Sequence, residues 1–452
     1  MTMHADRIVG SGRPDRAPGG RDAAIDAARA ACLVVVFVLH ALMVGVSIGA
    51  DGPVLENALE GWAWFAPATW VVQVMPLFFV IGGYAGWTAW RRTRERGGDA
   101  ATFVRGRLER LVRPAIVLVA VVGAALAALT FAGVPAEVVA TAGYRIGQPL
   151  WFLAVYLGCS ALVPVMVGWH ERRPVLAVVA LAGAVVAVDV LRFTTGFEAV
   201  GFVNLGLVWL LMQQLGFWLA DGRVERISRR GRIRLALCAL AVLALVTLAG
   251  PYSPDLFANL NPPTVCLVLL GVAQLALFSL VREPLRRWAE RDAPARVIGR
   301  FGEWGMTLYL WHLPAFVLVA GLLLIGEEVA GPPLPEPLSA AWWMSRPLWL
   351  LAAALATALL VRGFARWERG SGRPAERSAP TMETARSGWV VPVGLAVPAA
   401  VLGVGLVLVV GFAPVPALVA LALLGVALRG SRSPRRRVPG GSDLGRVGAT
   451  LR

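Results

Sequence analysis

A chain of 452 residues that is 57% hydrophobic and only 16% charged carries too little charge for a water-soluble protein of its length, and its mean hydropathy is +0.67. The formal net charge of +15 does not imply nucleic acid, because the arginines are spread among short segments between apolar runs, as membrane topology demands. What remains is an all-α, polytopic membrane helical bundle whose solvent is the lipid bilayer, with no nucleic-acid partner.

Residues 1–22 are rich in Gly, Pro and Arg and lack the apolar core of a cleavable signal, so they read as a disordered cytoplasmic tail. Apolar runs follow at roughly 28–49, 68–90, 112–132, 149–168, 174–192, 204–220, 233–250, 263–281, 304–325 and 343–363, each long enough to span a hydrocarbon core of about 30 Å. These give a ten-helix core over residues 23–365. Residues 366–387 read as a cytoplasmic linker. Residues 388–428 hold two further runs joined by GFAPVPA, an additional transmembrane hairpin or a single re-entrant element. Residues 429–452, rich in Arg, Gly and Ser, read as a disordered basic tail.

The loops alternate in charge. Segments 91–113, 221–234, 282–300 and 362–386 are basic, whereas the charged residues of 50–67 and 326–341 are all acidic. Positive loops stay inside, which places both termini in the cytoplasm and makes this a multi-pass cell-membrane protein. Arg145 is the one outward exception. Trp62, Trp64, Trp342 and Trp343 fall at the outer boundary, where an aromatic belt belongs.

Ionisable groups within apolar runs are costly in lipid, so each is a candidate for function. Of the 4 histidines, His40 and His312 lie in such runs, while His4 and His170 fall in a tail and a loop and carry no such signal. Arg29 and His40 are eleven residues apart, three helical turns plus about 20°, so they share one face across a rise of about 16 Å. That face would suit a long substrate with a charged head at the cytoplasmic mouth and a reactive tip within the membrane. The plainer reading makes Arg29 a positive-inside anchor and His40 an interhelical hydrogen-bonder. Arg107, Arg110 and Arg113 form a slowly rotating stripe whose guanidinium forks fit substrate phosphates or lipid headgroups equally well. Asp189 and Arg192, at i and i+3, read as an interfacial ion pair. The 4 cysteines all lie in apolar runs and indicate neither a disulfide framework nor a metal site.

At this point the residues carry a family resemblance. IDAARAACLVVVFVLH (25–40) resembles the opening helix of the acyltransferase-3 family of integral membrane acyltransferases, which pairs an arginine with a histidine across ten residues. MPLFFVIGGY (75–84), RLERLVRP (107–114), PLWFL (149–153) and GMTLYLWHLP (305–314) resemble later blocks of the family, in order, over about residues 21–365. Gly82 stands where the family usually has serine, Glu109 interrupts the arginine block, and Met306 and Thr307 replace a Ser-Tyr pair.

The resemblance implies transfer of an acyl group, commonly acetyl, from cytoplasmic acyl-coenzyme A to a hydroxyl of a glycan, lipid-linked sugar or other envelope or secreted product. His40 would be the base, or would carry the acyl group itself, and His312 a second catalytic candidate one turn after Tyr309. Arg29, with Arg107, Arg110 and Arg113, would hold the coenzyme phosphates. Through the resemblance Trp151, Phe78 and Phe79 become pocket walls. Asp26 matches a family aspartate, a position that capping of the first helix explains equally well. A transporter or flippase using the same polar path without chemistry is the alternative, and a catalytically inert scaffold a third.

Overall fold

The computed structural model describes residues 22–49, 52–331, 333–368 and 391–430. The two tails and the linker expected from the sequence lie almost wholly outside the described residues. Helix α1 (Ala23–Met43) is capped by Asp22, whose Oδ1 accepts from the amides of Ala24 (2.9 Å) and Ile25 (3.4 Å). Asp26 therefore does not cap the helix; it sits in the first turn. The helix also stops before residue 49, contrary to the sequence reading. From Val44 the chain forms β1 (Val44–Gly49), paired antiparallel with β2 (Gly52–Asn57) in a small hairpin at the far end of the bundle. Its alternation of β-branched and small residues, VGVSIG, favours an extended pair over a helix.

The second apolar run is broken into α2 (Phe65–Val72) and α3 (Met75–Glu95). Pro76 cannot donate to the preceding turn, and the freed groups need partners in a lipid-facing protein. Gln274 supplies them, accepting from the amide of Leu77 at 3.0 Å and donating to the carbonyl of Gln73 at 2.7 Å. Then come α4 (Ala100–Phe131), α5 (Ala136–Gly147), α6 (Leu150–Arg172), α7 (Pro174–Thr195) and, after a 3-10 turn at Glu198–Val203, α8 (Asn204–Ala220). The short α9 (Arg223–Arg226) precedes α10 (Arg229–Leu248), α11 (Val265–Ala289), α12 (Asp292–Ala330) and α13 (Ala340–Glu368). The chain closes with α14 (Val393–Val410) and α15 (Pro414–Gly430). Among the described residues 11 helical stretches are long and apolar enough to cross a membrane, α15 being shorter. The protein is a multi-pass, all-α membrane bundle.

Small residues set the closest approaches. A Cβ on Gly83 would lie 2.2 Å from the carbonyl oxygen of Gln213, and one on Gly216 2.1 Å from that of Val80, so α3 and α8 touch backbone to backbone. Gly82 faces the Tyr156 ring instead. Helices α14 and α15 run antiparallel and pack on α4, α5 and α6.

The pairing of Asp189 with Arg192 does not form. Asp189 is 1% exposed and accepts from Asn204 Nδ2 (2.8 Å), the Tyr252 hydroxyl (3.0 Å) and the Val265 amide (2.8 Å). Arg192 pairs with Glu198 at 2.6 Å. A buried carboxylate needs its lone pairs satisfied, and fixed donors on α8, on the segment before α11 and at the first residue of α11 do this in place of the neighbouring guanidinium. The result pins the 250–264 segment over the far end of the bundle; burial, then the Asp189 carboxylate, push the Tyr252 phenol above its usual range.

Candidate active site

His40 lies near the far end of α1 and His312 midway along α12, 272 residues later. The backbones are held together below them: Ala41, Ala315, Phe316 and Ala353 form a buried cluster with Trp349, whose Nε1 donates to the carbonyl of Ala41 at 2.8 Å. His40 Nδ1 and His312 Nε2 are 2.8 Å apart. The ring planes differ by only 10° and the centroids are 5.1 Å apart, so the two imidazoles meet edge to edge in one plane rather than stacking.

The hydrogen-bond network assigns the protons. His312 Nδ1 lies 2.6 Å from the carbonyl oxygen of Tyr309, which only accepts, so Nδ1 carries the hydrogen. In the neutral ring His312 Nε2 is then a lone pair, and His40 Nδ1–H must donate to it. His40 Nε2 is left with its lone pair and no partner among the described residues. His312 is 1% exposed, with Phe316 packed edge-on at 5.4 Å; His40 is half-buried.

Two cavities approach this pair from opposite ends. The first, about 290 Å³, is lined along α1 by Asp26, Arg29, Cys32 and Val36, along α12 by Gly305, Met306 and Tyr309, and on α6 by Phe152 and Tyr156. The second, about 570 Å³, takes over on the same three helices with His40 and Met43, Leu313 and Phe316, and Trp151, joined by Pro149 just before α6. The Arg29–His40 face expected of α1 is therefore real, but it passes through two chambers. Between them stands a layer made by Tyr309, whose hydroxyl donates to the carbonyl of Pro149, and the buried His312.

Arg29, Arg107 and Arg110 converge on the first cavity, as does Arg92. Arg29 makes a 3.4 Å contact with Asp26, and Arg107 lies over the Phe103 ring. Neither Arg107 nor Arg110 has a carboxylate partner among the described residues. Arg113, grouped with them by spacing, points elsewhere and pairs with Glu109. The stripe rotates by about 60° every three residues and so by about 120° from Arg107 to Arg113, enough to carry its last member off the cavity wall. Phe78 lines the first cavity and Trp151 the second, whereas Phe79 is core, stacked on Trp209 at 4.4 Å.

Two constellations escaped sequence reasoning. At the mouth of the first cavity Asp22 Oδ2 accepts from Arg282 at 2.8 Å, and the Tyr84 hydroxyl lies between them. Asp22 directly precedes the helix, the signature of a cap; placing the start of the apolar run at 28 hid it. His170, assigned to a loop, is instead on α6 and 1% exposed, bonded to Gln214 and Asp221. No local pattern announces it.

A polytopic bundle with a paired, half-open imidazole site between two chambers defines a membrane enzyme rather than a plain lipid anchor. The acyltransferase domain of the acyltransferase-3 family matches residues 22–364, and the chain belongs to that family. It is an acyltransferase for groups other than aminoacyl groups. No curated protein and no solved structure matches the chain.

Proposed function

We propose that this enzyme moves an acyl group, acetyl in the first instance, from a cytoplasmic coenzyme A thioester to a hydroxyl of an envelope or secreted glycan or lipid-linked sugar, with both termini in the cytoplasm. The observation that carries this reading is the unpartnered Nε2 of His40 at the wall of the second cavity, in line with an arginine-lined first cavity on the same helix face. Guanidinium groups suit the phosphates of the donor, and of Arg29, Arg107 and Arg110 only Arg29 has a carboxylate beside it among the described residues, Asp26 at a loose 3.4 Å. Arg29, Arg107 and Arg110 hold that head, and the acyl end reaches the layer at Tyr309.

The acceptor hydroxyl enters the second cavity and meets His40. Nε2 takes its proton as the hydroxyl oxygen attacks the thioester carbon. The carbon–sulfur bond then breaks, and the proton passes from Nε2–H to the leaving thiolate, giving ester and free thiol. His312, by accepting the Nδ1–H of His40, fixes the productive tautomer and stabilises the imidazolium, much as a carboxylate does in a hydrolytic triad. Tyr309 must release Pro149 for the acyl carbon to meet the hydroxyl, so that bond acts as a partition. The test is transfer of labelled acetyl from acetyl-coenzyme A to a panel of envelope glycans in proteoliposomes. Transfer lost in His40→Ala with coenzyme A binding retained supports the reading. Acceptor transport without label transfer would replace it with a carrier.

A further inference from the structure

The family domain ends at residue 364, so α14 and α15 lie outside it. Yet Leu408 and Val409, in the last turn of α14, line the same cavity as His40. They are seated there by a close fit to α5. A Cβ on Gly143 would lie 3.4 Å from Cβ of Phe412, and one on Gly147 3.4 Å from the carbonyl oxygen of Val407. Phe412 itself is buried.

The cavity wall is divided. Asn57, Gln148 and Asn261 contribute amides to it, beside Tyr144 and Arg145, while Leu205, Val317, Leu408 and Val409 present only hydrocarbon, and no carboxylate is among the described residues that line it. Amides donate to and accept from hydroxyls, whereas an aliphatic wall offers a sugar ring nothing. The aliphatic side also continues outward: Val409 is 83% and Val410 57% exposed, on the surface that a membrane bundle turns to lipid.

We infer that the second cavity receives an amphipathic alcohol, its hydroxylated part against the amides and a hydrocarbon chain running past Leu408 and Val409 into the bilayer, and that the C-terminal hairpin is the element selecting it. This rests on reading that cavity as the acceptor site.

The experiment uses the full chain in lipid nanodiscs and a decyl glucoside with a diazirine in its alkyl chain. Expected is saturable photolabelling of residues 407–410, suppressed by unlabelled decyl glucoside but not by glucose. Leu408→Trp, which fills the wall, reduces that labelling about tenfold, the scale of an overpacked site. Val409→Trp, at an exposed position, does the same without touching the core, so loss in either variant with unchanged size-exclusion behaviour supports the site. Labelling that does not saturate, that is spread equally over the lipid-facing helices α7 and α10, or that ignores both substitutions overturns it. Saturable labelling at 407–410 in a protein that transfers no acetyl would sustain the site and remove the transfer reading. Equal KM for glucose and decyl glucoside without such labelling would do the reverse.

Discussion

His40–His312 and His170 are both imidazole sites inside the bundle, and they differ in what their second nitrogens do. His170 Nδ1 accepts from Gln214 Nε2 and its Nε2–H donates to Asp221 Oδ2, each at 2.9 Å, while Trp87 and Phe217 close over its edges. Neither of the two cavities is lined by it. Every polar atom of that ring is spent on tying α6 to α8 and to the turn after it. At the other site one nitrogen of His40 is held and the other is open to a chamber. Burial and hydrogen bonding are common to both sites; what separates them is an uncommitted nitrogen facing a cavity, the feature on which the proposed chemistry rests.

The contrast is broken most directly at His40. His40→Ala is expected to lower acyl transfer about a thousandfold, within the range for a lost general base, with folding unaffected. A loss of less than about threefold in proteoliposome assays would remove His40 from the chemistry. His312→Ala frees the His40 tautomer without deleting the base, so a smaller fall of about a hundredfold, in kcat rather than KM, is expected. Fall-off in KM alone would make His312 a packing residue.

On the near side, Arg107→Ala should raise the donor KM by about tenfold to a hundredfold, the worth of a charge-assisted bond, and change kcat little. Arg113→Ala, whose guanidinium is already paired with Glu109, is the matched control and should change KM by less than about twofold. Equal effects of the two would return the phosphate site to the whole stripe. The smallest effect on activity is expected at His170. His170→Ala leaves Gln214 and Asp221 short of a partner and should cost about 1–3 kcal/mol of stability, seen as a lower unfolding temperature, while transfer per folded molecule stays within about twofold. A large loss of kcat there would erase the distinction between the two histidine sites.

How much of this could be read from the chain follows physical lines. Each span needs about 20 apolar residues, so the spans and their order are legible, though not their ends, as are the cost of burying His40 and His312 and the face shared by Arg29 and His40. Helical periodicity gives the azimuth of a residue on its own helix and nothing about which helix stands opposite. That is why the sequence pairs Asp189 with its i+3 neighbour although its donors come from residues 204, 252 and 265, and why His170 reads as a loop residue. The break at 73–74 and the hairpin at 44–57 were hidden by the same apolar composition that revealed the spans.

The sequence by itself determined a membrane bundle of this family, with one deep histidine in line with an arginine. Only the packing of α1 against α12 decided that His40 has a partner and a free nitrogen. Only the meeting of α1, α6 and α12 decided that two chambers lie along that face, with Tyr309 bonded to Pro149 between them. Contacts across 272 residues are set by which surfaces exclude lipid together, and that choice is made by the whole bundle at once.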